Sequence, residues 1–475
     1  DTIAEQFTFA RGSEATYVDA QGLIQSTNEI GPELVTNGDF SDGSTGWNKS
    51  TQVTIENGVA NIISNDGSFQ YVGQNNVTTI GKSYVLTYTI ISNNNGDLRF
   101  GNFGGINSII GTHSFYFVAD ETACNIARNS AGVTDISIDN VSVKEVITAT
   151  NTPRLDYSTG AEAFLLEPQS TNLITQSELF SDASWLRVGS ITTTDNYTTS
   201  PSGQNNATRL QWTNATNYIY QSLSHVGSNF TLSIYLKSNT DVSQQVRLFM
   251  DNGAQSQDVL VTTQWQRFEF TNTTTPTQSN RNVGLIKSGG QVGDLDISIW
   301  GAQFEALSYA TSYIPTNGSQ TTRNQETCIN ATPEINSEEG VLYFEGAILG
   351  NDGTYKIVSL SDGTTLNVVR FYYSVTDNRI VGNVKSGSVI VFDFNHVLQD
   401  STDFLKTAIS YRLNDFKMYV NGTKVASDTA GNAPIGLNVL TFNNGGGNSP
   451  FYGNTKDLQV YTKALSDAEL IKLTT

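Results

Sequence analysis

Large apolar residues alternate with smaller or more polar ones along most of this chain. In "SYVLTYTI", beginning at Ser83, the residues Tyr84, Leu86, Tyr88 and Ile90 fall on one face; in "NFTLSIYL", beginning at Asn229, Phe230, Leu232, Ile234 and Leu236 do the same. Period two over this length predicts half-buried strands. Only one stretch reads as a helix. Ser466 is followed three residues later by Glu469, a capping box at its start, and Leu470 and Leu473 are then placed to pack inward.

The pattern repeats. "ELVTNGDFSDGSTGW" from Glu33 to Trp47 is matched by "NLITQSELFSDASW" from Asn172 to Trp185, and "ISIDNVSVKEV" from Ile136 by "ISIWGAQFEAL" from Ile297. Self-similarity at this spacing predicts two sister sandwiches. A third pattern follows, with strands at "GVLYFEGAI", "YKIVSLSDG", "NVVRFYYSV", "SVIVFDF" and "KTAISYRL", and a hairpin, "DFKMYVNGTKVAS", in which Asn421 and Gly422 supply the positive-φ pair of a type I′ turn. The expected division is a connecting segment at 1–29, an inserted sandwich at 30–148, a second connecting segment at 149–171, a second sandwich at 172–323 and a C-terminal sandwich at 324–475. The first and second connecting segments look like two halves of one element. The fold class is all-β, as a tandem of β-sandwiches.

Composition supports this reading and narrows the partners. With 23 Phe and 20 Tyr but 15% charged residues, the chain is rich in what suits pleated, half-buried surfaces. The 26 Lys and Arg against 45 Asp and Glu leave a formal net charge of −19, which disfavours nucleic acid and anionic membrane surfaces. No stretch approaches 18 consecutive apolar residues, so no membrane insertion is expected. Cys124 and Cys328 fall in different modules and read as small buried hydrophobes rather than a disulfide framework. The chain opens at Asp1 without a basic and apolar leader, so the expectation is a trimmed start or export without a signal peptide.

Three segments carry a family resemblance. "FTFARGSEATYVDAQGLIQ" from Phe7, "PRLDYSTGAEAFLLEPQSTNLI" from Pro153 and "YATSYIPTNGSQTTR" from Tyr309 resemble segments of bacteriophage and prophage tail and fibre-like proteins. The two repeats resemble carbohydrate-binding modules of the family 4, 9 and 22 jelly-roll type, through Asn37, Gly38, Asp39, Gly46, Trp47 and "IDNVSV" in the first copy. The second keeps Phe180 and Trp185 but has Trp300 and Gly301 where the first has Asp139 and Asn140. The third module resembles the laminin-G or concanavalin A-like lectin sandwich, on its Tyr-Val-Asn-Gly hairpin and closing "FYGNTKDLQVYTKALSDAELIKL".

The jelly-roll resemblance implies a structural calcium ion, with Asp39 and Asp139 as the ligand candidates. It also implies sugar platforms built from aromatics that face away from the core: Phe69 and Tyr71 in the first copy, and Tyr218, Tyr220 and Tyr235 in the second. Trp47 and Trp185 follow the same turn in both copies, which predicts a shared core role; Trp212 and Trp265 are expected to pack as well. In the C-terminal module, Asp352, Asp362 and Asn378 are loop residues able to meet calcium or sugar hydroxyls.

No catalytic residues are identified. His113, His225 and His396 lie in separate modules without a metal-ligand spacing, and neither a Glu-x-Asp-x-x-Glu strand nor a G-x-S-x-G elbow occurs. The expected function is a non-enzymatic virion fibre or receptor-binding protein that attaches to glycans, displayed on the virion surface or extracellularly. Its expected partners are glycans, other virion proteins and further copies of itself. No heptad stalk is present, so a trimer would form through sandwich faces or the N-terminal segment. Purely structural decoration of a capsid or tail, and a secreted bacterial adhesin or accessory module, are the alternatives.

Overall fold

The computed structural model describes residues 6–129, 132–213, 216–224, 229–272, 280–375 and 377–475. His225 lies outside the described residues. Strands dominate, and an α-helix spans Asp467–Thr474. Its capping box forms as the sequence predicts: Ser466 accepts from the Glu469 N–H, and the Glu469 carboxylate accepts from the Ser466 N–H at 2.8 Å. Leu470 is fully buried beneath it, with Leu473 packed alongside.

The chain forms two compact units. One comprises Asn28–Ala149 with Thr194–Arg209; the other comprises Asp1–Thr27, Thr150–Thr193 and Leu210–Thr475.

In the first unit, a five-stranded sheet runs in the order Gly104–Ile106, Leu98–Phe100, Cys124–Arg128, Tyr71–Gln74, Asn48–Lys49. A second sheet runs Gly111–Val118, Ser83–Asn95, Thr134–Ile147, Val59–Ser64, Thr54–Glu56, with Glu29–Glu33 also paired to Thr134–Ile147. The predicted stripe of Tyr84, Leu86, Tyr88 and Ile90 lies in the core, against Val72, Leu98, Cys124 and Ile126 from the other sheet. Antiparallel sheets that bury one face each need no other framework.

The second unit contains two sandwiches. One sets the sheet Leu186–Val188, Tyr218–Ser224, Asn280–Lys287, Gln244–Met250, Gln255–Val261 against a sheet in which Thr231–Ser238 lies between Leu295–Glu305 and Gln266–Thr271. Phe230, Leu232, Ile234 and Leu236 fill its core with Val246, Leu248, Val283 and Leu285. The other sets a five-stranded sheet, Val389–Val397, Arg379–Ser386, Val368–Tyr373, Lys356–Ser361, Val439–Thr441, against a seven-stranded one.

That seven-stranded sheet begins with Arg154–Asp156 and Ala163–Leu166, ahead of Gly453–Tyr461. The stretch 149–171 therefore does more than connect: Phe164 and Leu166 belong to the C-terminal core, as does Phe7 from the N-terminal segment, whose Thr8–Ala10 pairs with Thr327–Ile329. "AFLL" is buried at all four positions, and a short unbroken apolar run does not declare its partner in the sequence.

The three segments that resemble fibre-like proteins converge on a buried ionic knot. Arg154 lies 2.6 Å from Glu326 and 2.8 Å from Glu167, Arg11 lies 2.7 Å from Glu326, and Arg323 lies 2.9 Å from Glu167. These side chains are at most 1% exposed. Ser312 donates to Glu167 through both its N–H and its hydroxyl, and Thr311 donates its N–H to Glu305. Burial on its own would raise the Glu167 carboxyl, but Arg323 and Arg154 outweigh it and hold the group at about 2. The knot ties residues more than 300 positions apart.

Candidate functional site

Period two fixes which side chains leave the second sandwich. Ile219, Gln221 and Leu223 are buried, so Tyr218, Tyr220 and Ser222 point outward from the same strand. Cross-strand register then assembles two rows on that face. One reads Leu186, Tyr220, Gly284, Phe249, Ser256; the other reads Val188, Tyr218, Ile286, Arg247, Asp258.

The rings of Tyr218 and Tyr220, both half-buried, are 5.5 Å apart, and Tyr218 meets Phe249, itself buried, edge to face at 5.9 Å. Gly284 sits between Tyr220 and Phe249 in register, and a Cβ there would lie 2.0 Å from the Ile219 carbonyl oxygen. Glycine thus keeps the strands close and leaves the strip without a side chain at its centre. At the far end Arg247 and Asp258 form a two-bonded ion pair, at 2.7 and 2.9 Å, that stays in solvent. The hydrogen bond raises the guanidinium and lowers the carboxyl from their ordinary values. An apolar aromatic strip beside a charged, planar donor and acceptor pair can take the C–H face of a sugar ring and its hydroxyls together.

The first sandwich carries the same register. Gln74 accepts from the Thr36 N–H and hydroxyl, as Gln221 accepts from those of Thr175. With these glutamines aligned, Tyr71 falls where Tyr218 does, and Arg99, facing Ala127, falls where Arg247 does. Gly73 stands in place of Tyr220, and Asn125 in place of Gly284. Phe69, 59% exposed, stacks on Tyr71 at 6.2 Å. The first face therefore offers fewer rings and more amide.

Tyr235 does not join either face. It lies in the opposite sheet of the second sandwich, edge-on to Trp300 at 5.6 Å, with the Arg267 guanidinium over its ring. Trp300 in turn packs on Tyr313 at 4.6 Å, and Arg267 donates to the Thr311 carbonyl. The segment around Thr311–Tyr313 covers what strand alternation alone would leave exposed, and burial raises the Tyr235 phenol.

Trp47 and Trp185 are core residues, as their shared position predicts. Each indole N–H donates to a backbone carbonyl, of Asn37 at 2.8 Å and of Gln176 at 2.7 Å, and each ring packs on a phenylalanine, Phe40 or Phe180. Trp212 is likewise buried, whereas Trp265 is half-buried.

Of the calcium candidates, Asp39 lies on a turn and Asp139 within the strand Thr134–Ile147 beside its bulge, and a Val141 N–H to Gly38 carbonyl bond joins the two segments. Asp39 accepts from the Ser41 N–H and hydroxyl, and Asp139 from the Asn140 N–H and amide. Each carboxylate is thus engaged by residues next to it in the chain. Among the described residues no three His, Cys, Asp or Glu gather into a metal-holding group, so the donor set does not fit a carboxylate-rich cage. His113 is buried and bonds the Ile109 carbonyl. In the C-terminal module Asp352 pairs with Lys356 at 2.6 Å, Asp362 is held by Thr364 and Asn367, and Asn378 bonds Gln399 and Ser401. Both cysteines are free and buried.

Comparison with known proteins adds one assignment. Residues 336–471 match the concanavalin A-like lectin/glucanases superfamily, which agrees with the two-sheet module and its capped helix. None of the curated proteins matches the chain. Among solved structures, the CBM40 of the Ruminococcus gnavus IT-sialidase bound to α2,3-sialyllactose is 18% identical, covering 30% of this chain and 84% of its own, with a TM-score of 0.26. The N-terminal CBM22-1-CBM22-2 tandem domain of Paenibacillus barcinonensis Xyn10C is 12% identical over 59% of this chain and 100% of its own, with a TM-score of 0.23. Mouse laminin α1 domains LG4-5 are 9% identical over 52% of this chain and 88% of their own, with a TM-score of 0.21. Superpositions this loose carry no argument about ligand or activity.

Proposed function

We propose that this chain is a non-enzymatic glycan-attachment protein, displayed as a fibre or receptor-binding component on a phage virion. The observation that carries the binding role is the outward, half-buried pair Tyr218 and Tyr220, backed by the buried Phe249 and bounded by the Arg247–Asp258 pair. Such a strip is shallow and individually weak, and copies on one particle multiply it. The lectin-like match of residues 336–471 supports the same class of ligand. The virion setting is supported by the resemblance of the three segments that meet in the ionic knot. Other virion proteins and further copies of this chain are the proposed partners.

The test is a glycan array probed with the full chain, with calcium and with chelator. Binding to a defined set of oligosaccharides supports attachment; silence across the array contradicts it. Loss of signal with chelator would restore an ion at Asp39 and Asp139. Incubation of bound glycans with the protein should yield no new reducing or unsaturated ends, whose appearance would overturn the non-enzymatic reading.

A further inference from the structure

The C-terminal sandwich has a cleft of its own. It opens where the edge strand Val389–Val397 ends, where residues 398–404 cross to Leu405–Arg412, and where the Asn421–Gly422 turn joins Asp415–Val420 to Thr423–Asp428. Its volume is about 660 Å³, inside the range of roughly 300–1,000 Å³ typical of small-molecule pockets. Leu398, Leu405 and Val420, all buried, supply an apolar floor.

The rim is polar and under-used. Asp400 spends one oxygen on the Thr402 N–H and hydroxyl, and among the described residues no hydrogen bond or ion pair reaches the Asp403 carboxylate. Asn421, at φ 46°, is clamped by its N–H to the Lys406 carbonyl and by its Oδ1 accepting from the Lys406 N–H. That leaves its Nδ2 as a fixed donor without a protein partner among the described residues. His396 also lines the cleft, and burial lowers its imidazole, so the neutral ring offers one donor and one acceptor. The nearest ring, Phe404, has one face occupied by the Lys456 ammonium at 3.8 Å from its centroid.

Acceptor carboxylates, a fixed amide donor and a neutral imidazole above an apolar floor suit groups that both donate and accept around a C–H surface. We infer that this cleft is a second saccharide site, specific for neutral hexose or N-acetylhexosamine units. A sialic acid or uronate carboxylate would meet Asp400 and Asp403 and be repelled. The inference shares with the proposed function the premise that the chain binds glycans, but it uses none of the same residues.

The experiment compares four full-length proteins on one array of neutral, N-acetylated, sialylated and uronate-containing oligosaccharides: wild type, Asp403→Ala, Thr423→Trp and the double variant Tyr218→Ala/Tyr220→Ala. Asp403 and Thr423 are exposed, so both cleft variants keep the core intact, and Trp at 423 fills the cleft. The expected result is a group of neutral glycans still bound by the tyrosine double variant and weakened about tenfold or more in both cleft variants. Two results overturn the inference: cleft variants that bind as wild type does, or retained binding confined to acidic glycans. Loss in the cleft variants with wild-type binding by the tyrosine double variant would instead sink the aromatic-face reading and leave this one standing.

Discussion

Tyr218 and Phe249 meet edge to face, with ring centroids 5.9 Å apart and planes at 84°, although the strand Asn280–Lys287 runs between their own strands. They can touch because the intervening strand carries no side chain at Gly284. The arrangement of the half-buried tyrosines over the buried Phe249 thus depends on a glycine that adds no side chain to the face.

Gly284→Val should therefore damage the sandwich before it damages binding. Its Cβ would meet the Ile219 carbonyl oxygen, which is backbone and cannot swing away. Overpacking of this kind costs about 1–3 kcal/mol. Chemical denaturation should show a lower midpoint than wild type; an unchanged midpoint would mean the strands have room to part.

Trp185→Ala should cost about 3–5 kcal/mol, because it removes a buried indole packed 4.7 Å from Phe180 and takes away the shorter of the hydrogen bonds that the Gln176 carbonyl accepts from side chains, leaving the longer one from Gln221. Trp47→Ala should have a comparable effect on its own sandwich, where Trp47 packs on Phe40 at 4.9 Å. Denaturation midpoints check both. A glycan-binding loss without a stability loss would assign these tryptophans to the ligand instead of the core.

Glu326→Ala should be more damaging than any surface charge change. It leaves Arg11 and Arg154 buried without their shared partner, and breaking a buried pair costs about 3–5 kcal/mol. By contrast Asp258→Ala, which breaks the exposed pair with Arg247, should move stability by about 1 kcal/mol or less. Thermal melting of both variants tests the contrast.

Acid should loosen the same knot. The Glu167 carboxyl is held at about 2, below its ordinary 4.5, so its stabilisation is complete above about 4.5 and fades as pH falls toward 2. The loss across that window is on the order of 3 kcal/mol. Urea midpoints should be level from pH 7 to 5 and fall below pH 4, and Glu167→Gln should flatten that fall.

Much of the fold was legible because it rests on local rules. Period two placed Tyr84 and Leu232 inward, the Ser466–Glu469 box started the helix, and Asn421–Gly422, at φ 46° and 75°, makes the predicted turn. The repeat also announced the matched environments of Trp47 and Trp185. The ionic knot was not legible, because isolated Arg11, Arg154 and Glu326 carry no spacing that signals a meeting across the chain. The surroundings of Tyr235 were not legible for a related reason: alternation gives the face of a strand but not what a distant segment lays beside it. For Tyr218 and Tyr220, alternation sufficed, while Phe249 and Gly284 required cross-strand register that only the structure supplies.

The central claim is that the aromatic face of the second sandwich binds sugar. Calorimetric titration of the strongest oligosaccharide from the array into wild type and Tyr218→Ala/Tyr220→Ala tests it most directly, provided the two proteins melt alike. The account predicts that Kd rises at least about tenfold in the variant. Equal affinity in the two folded proteins would contradict it.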